Sequence, residues 1–136
     1  MSLSKIQRLE QKSLLLQRDT LTELESLVKS INRSQEMINE LKTEMDAVNT
    51  QHQHRKTTRE DIAYLEDLLR CAKKKLAWEN LMESLQKRIP STLEDVSTVM
   101  NDTKNPPAED VRNKILELLQ SVQASMQYLE EAKIQG

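Results

Sequence analysis

Residues 24–48 read LESLVKSINRSQEMINELKTEMDAV, and along them Leu24, Leu27, Ile31, Ser34, Ile38, Leu41, Met45 and Val48 recur in strictly alternating steps of three and four. Such spacing returns side chains to one face of an α-helix every two turns, so the stretch predicts a heptad seam. Leu24, Ile31, Ile38 and Met45 take the a positions and Leu27, Ser34, Leu41 and Val48 the d positions. Aliphatic a and d layers drive helices to pack along their length, and Ile at a with Leu at d modestly favours a two-stranded parallel pairing.

No Pro or Gly occurs between Ser4 and Thr50, so the first helix is expected over 4–50. An earlier apolar stripe of Ile6, Leu9 and Leu16 falls out of phase with the seam near Thr20. A four-residue stutter there would reconcile the two by locally unwinding the packing. Towards the C-terminus the polar run Asn49 to Thr58 has no apolar stripe to bury, and a chain reversal is expected in it. Thr57, followed three residues later by Glu60, fits a capping box opening the next helix.

The second helix is expected over 58–88, with Ile62, Leu65, Leu69, Ala72 and Leu76 on one face before the stripe shifts to Trp78, Met82, Leu85 and Ile89. Pro90 should stop it, because proline disfavours helical geometry in the preceding residue and has no backbone donor. Ser91 with Glu94 makes a second capping-box match and opens a short helix over 92–101. Asn105-Pro106-Pro107 ends that segment. A fourth helix is expected over 107–134, with Glu109 and Asp110 in its first turn, where the macrodipole favours negative charge.

Composition agrees with long helices. Aromatic residues are 2% of the 136-residue chain, Phe is absent, Gly occurs once and charged residues reach 31%. Compact globules draw much of their buried area from aromatic rings, and strands and tight turns need more glycine. The expected fold is all-α: an elongated helical hairpin or coiled-coil bundle, one domain over 1–136, with one long N-terminal helix and shorter C-terminal ones. A first helix of roughly 45 residues would span about 68 Å, longer than any later one. Part of its seam should therefore project beyond the chain's own cover and call for a partner.

Chemistry-bearing patterns are sparse. His52 and His54, two residues apart, point to different sides of a helix and lack a completing Cys or carboxylate pattern, so no metal is expected. Cys71, the single cysteine, sits within an amphipathic helix and reads as structural, which suits a reducing compartment. Arg70, Lys73, Lys74 and Lys75 form the strongest basic cluster, but Glu66, Asp67 and Glu79 intersperse it, as on an ordinary solvated helix face. Five of the methionines scatter along the helices as gap-fillers. One glycine cannot build a phosphate loop, and no catalytic signature is present, so neither enzyme activity nor a cofactor is expected.

The net charge of -2 gives no pull toward nucleic acid. No run approaches the roughly 20 apolar residues of a membrane span, and no signal-peptide or lipidation pattern is seen. The sequence leads to the expectation of a non-catalytic scaffold or adaptor subunit of a larger intracellular complex, cytoplasmic rather than nuclear. Its partner is expected to be a helical protein or a second copy, bound through Leu24, Leu27, Ile31, Ile38, Leu41, Met45, Val48 and Trp78. One alternative is a regulatory bundle that binds a folded enzyme or chaperone. A further one is a polyanion-binding module using Arg70 to Lys75.

Overall fold

The computed structural model describes residues 2–135, with side-chain surroundings for residues 4–131. It is all-α: α1 spans Ser2–Gln51, α2 spans Thr58–Met100 and α3 spans Glu109–Gln135, with no strand among the described residues.

The seam on α1 is longer than the stretch that revealed it. Gln17, Thr20, Leu24, Leu27, Ile31, Ser34, Ile38, Leu41, Val48 and His52 are all buried, and Met45, the remaining step, is half-buried. The three-four alternation therefore runs unbroken from residue 17 to residue 52. The expected phase break near Thr20 does not occur; two polar side chains simply occupy seam positions there. Gln17 is satisfied by donating to the Asn105 carbonyl oxygen at 3.1 Å. The Thr20 hydroxyl, wholly buried, has no hydrogen-bond partner.

The reversal after α1 falls where the polar run placed it. Thr57 caps α2 in extended geometry, its hydroxyl accepting from the Glu60 amide at 3.2 Å and donating to the Glu60 carboxylate at 3.0 Å. The first bond satisfies a backbone donor that a bare helix start would leave open, and the second ties the two side chains of the cap together.

Pro90 does not end α2. The expected helices over 58–88 and 92–101 are one helix with the proline inside it, and the described residues form three helices where four were expected. The reason lies in the seam of α2, which passes the proline without losing step: Leu85, Ile89, Thr92, Val96 and Val99 are all buried. Burying a Val or Ile side chain gains roughly 1.5–3 kcal/mol each, against about 3 kcal/mol for an interior proline. Packing on both sides of residue 90 outweighs the break, and the ring sits on the exposed side.

α2 returns antiparallel to α1, since Ser34 pairs with Trp78, Glu44 with Arg70 and His52 with Asp67. α3 runs parallel to α1: Gln35 bonds the Ser125 carbonyl oxygen and Asn39 accepts from Tyr128. Three clusters fill the interior in sequence, around Leu24 with Val96 and Ile115, around Ile31 with Leu85 and Val122, and around Leu41 with Cys71 and Trp78. Because α2 is 43 residues long, it covers α1 far better than two broken pieces would. The expectation that Leu24 to Val48 would need cover from outside is corrected: the chain's own α2 and α3 supply it.

The α2–α3 connection docks on α1 near Ser13. The Asp102 carboxylate accepts from the amides of Lys104 and Asn105 at 3.0 Å each and from the Ser13 hydroxyl at 3.2 Å. These bonds, the Asn105 amide foremost, hold its carboxyl below the usual aspartate range. Pro107 is buried beside them in sequence and helps fix the turn into α3.

Candidate functional site

Of the eight side chains expected to bind a partner, Leu24, Leu27, Ile31, Ile38, Leu41, Val48 and Trp78 lie in the chain's own interior and Met45 is half-buried among them. Seven of them share one face of α1, Trp78 meets that face from α2, and the face is turned inward. Trp78 donates its indole N–H to the Ser34 hydroxyl at 3.0 Å, which explains a serine at a d position, and the Ser34 hydroxyl lies 3.0 Å from the Met82 sulfur.

The apolar surface turned to solvent is the stripe that begins α2. Ile62 is 53% exposed, Leu65 62%, Leu69 57% and Leu76 57%, with Ala72 exposed between them. Their steps of three and four repeat those of a heptad seam. The interior positions Tyr64, Leu68, Cys71 and Trp78 carry the actual α1 contacts, and Leu65, Leu69 and Ala72 each follow one of them by one residue. One residue rotates a helix face by about 100°. The two faces on α2 that appeared from the sequence as a single drifting stripe are thus distinct: one packs inward and the other is free.

This face belongs to the end of the molecule where the bundle thins. Tyr128 is level with Asn39, so at equal rise the end of α3 comes level with about residue 46 of α1. The first turns of α2, with Ile62 and Leu65, stand beyond it. A groove of about 590 Å³ between α1 and α2, walled by Ile38, Leu41, Met45, Leu68, Cys71 and Ala72, runs beside the stripe. A second set of exposed apolar side chains, Ile6, Leu9, Leu14 and Leu15, lies on α1 at the opposite end.

Polar groups brace the same tip. His52 Nε2 meets Asp67 Oδ2 at 2.7 Å and its ring tilts against Tyr64 at 5.3 Å. Arg55 lies over the Tyr64 ring at 3.8 Å and donates to the His52 carbonyl oxygen at 2.8 Å. His52 is therefore a buried strut, not the solvated turn residue its neighbours suggested. His52 and His54 do not converge with other ligands: among the described residues no three His, Cys, Asp or Glu side chains are grouped.

Half of the basic cluster is occupied from within. Arg70 pairs with Glu44 at 2.9 Å and with Asp67 at 2.8 Å, and Lys74 pairs with the same Glu44. Hydrogen bonds from Lys74 and then Arg70 hold the Glu44 carboxyl below its ordinary value, and those from His52 and then Arg70 do the same for Asp67. Lys73 and Lys75 keep no ion pair among the described residues. No helix among the described residues is long and apolar enough to cross a membrane.

No protein-family model, curated protein or solved structure matches the chain. The surface itself therefore carries the functional reading. The sequence marks Ile62, Leu65, Leu69, Ala72 and Leu76 as one apolar face of this helix without saying which way it turns. The missed signal was the competing seam through Tyr64, Leu68, Cys71 and Trp78, obscured because Lys75 occupies one of its steps.

Proposed function

We propose that the protein is a non-catalytic helical scaffold or adaptor that binds a helical protein partner through the outer face of α2. The observation that carries this reading is the exposed stripe Ile62, Leu65, Leu69, Ala72 and Leu76, a heptad-spaced apolar face left in water. Burying one such leucine gains roughly 1.5–3 kcal/mol, and contiguous apolar patches on a soluble surface mark interaction sites. A helix with the complementary stripe would cover the face without disturbing the interior seam. The role moves from the α1 seam, which the chain shields itself, to a face one residue further round α2.

The test is comparative capture. Full-length protein and a Leu65→Asp/Leu69→Asp variant, matched for helicity and melting temperature, are used to retain proteins from cells. The reading expects a defined set bound by the first and lost by the second. Identical sets would overturn it.

A further inference from the structure

We propose that the occupant of the α2 face is a second copy of this chain, packed antiparallel across a two-fold axis near Leu69 and Ala72. This rests on the reading of that face as a binding surface and names its partner. The last four members of the stripe are self-complementary when reversed: the steps from Leu65 to Leu69, Ala72 and Leu76 are four, three and four in either direction, while Ile62 falls opposite the partner's Glu79 at the edge of the contact. Antiparallel packing sets Leu65 opposite the partner's Leu76 and Leu69 opposite the partner's Ala72, so each large side chain of the central layers meets a small one. A two-fold interface uses the same patch on both subunits, which such a palindrome satisfies.

Charge selects the direction. Glu66 and Lys73 flank the stripe on one side of α2, seven residues apart, and neither has an ion pair within the chain among the described residues. In the antiparallel arrangement equivalent flanks face one another, which brings Glu66 beside the partner's Lys73, and the converse pair follows from symmetry. The two groups are offset by about two residues, roughly 3 Å along the axis, within reach of a lysine side chain. Parallel in-register packing would instead set Asp61 beside the partner's Glu66, a like-charge contact that opposes association.

The test is sedimentation equilibrium of the full chain over a wide concentration range. A dimer is expected. Leu69→Asp should weaken it by at least about a hundredfold, since it sets a charge in the apolar centre, while circular dichroism and melting of the dilute monomer stay unchanged because the side chain is exposed. Glu66→Lys should weaken it about tenfold by replacing attraction with repulsion. Glu66→Lys combined with Lys73→Glu should restore it. A monomer at every concentration, a dimer indifferent to Leu69→Asp, or a double reversal that fails to rescue would each overturn the proposal. If the chain is monomeric and Leu65→Asp/Leu69→Asp still abolishes capture of other proteins, self-association falls and the binding role of the face stands.

Discussion

Trp78 on α2 reaches across to α1 and donates its indole N–H to the hydroxyl of Ser34 at 3.0 Å, inside the cluster that contains Ile38 and Cys71. A seam that admits a serine between Ile31 and Ile38 does so because the one tryptophan needs an acceptor there. A buried N–H without a partner costs about 1–3 kcal/mol. Ser34→Ala is therefore expected to lower stability by about that amount. In Trp78→Phe the N–H is gone, so Ser34→Ala on that background should cost clearly less. Chemical denaturation of the four proteins in a double-mutant cycle reads the coupling, and additive effects would dissociate the two residues.

Pro90 removes the amide that would bond the Gln86 carbonyl oxygen, yet α2 continues through it. Since the ring lies on the exposed side, replacing it should release strain without opening the core. Pro90→Ala is expected to raise stability by about 1–3 kcal/mol. A rise in the denaturation midpoint with an unchanged slope is the outcome that fits, and a fall would show that the proline is required for packing.

The sequence made α1, the reversal at Thr57 and the all-α class legible because each has a local cause: a strict alternation, a polar gap and a capping pair. The fate of Pro90 was not local. It depends on Thr92, Val96 and Val99 being buried, the two valines among Leu24 of α1 and Ile115 and Leu118 of α3, which no window around the proline reveals. The same holds for the site. Two stripes one residue apart share α2, and choosing between them requires knowing that Lys75 can stand in an interior register while Leu76 faces water. Residue type favours the wrong one, since Leu76 is the better core residue taken alone.

Acid should act on the hairpin tip before it acts on the apolar core. Asp67 and Glu44 have carboxyls held below their ordinary values of 3.8 and 4.5, chiefly by hydrogen bonds from His52 and Lys74 respectively. The stability they add is complete above those ordinary values and is lost as pH falls through the lowered ones. Glu23 works in the opposite sense. Burial first, and then its hydrogen bond and charge contact with Asp95, raise its carboxyl above 4.5. Its contribution is present at acid pH and disappears as pH rises through the raised value. Melting temperatures are thus expected to rise at neutral pH in Glu23→Gln and to fall at neutral pH in Asp67→Asn. Both differences should fade in acid; differences that persist there would contradict the assignment.

Leu24 and Leu14 are ten residues apart on the same helix and have the same side chain, but Leu24 is wholly buried and Leu14 is 62% exposed. If the α1 seam is the interior of one chain, Leu24→Ala should cost about 2–5 kcal/mol through lost burial and the cavity left behind. Leu14→Ala should stay within about 0.5 kcal/mol, as surface substitutions do. The decisive feature is concentration. A seam buried within one chain makes the Leu24→Ala loss independent of protein concentration even where pairing of the α2 faces raises every melting temperature with concentration, whereas a seam completed by a separate partner would make that loss itself change with concentration. Thermal melts of wild type and both variants over a wide dilution series distinguish these cases. A Leu24→Ala loss that grows on dilution would mean that α2 and α3 do not supply the cover for α1.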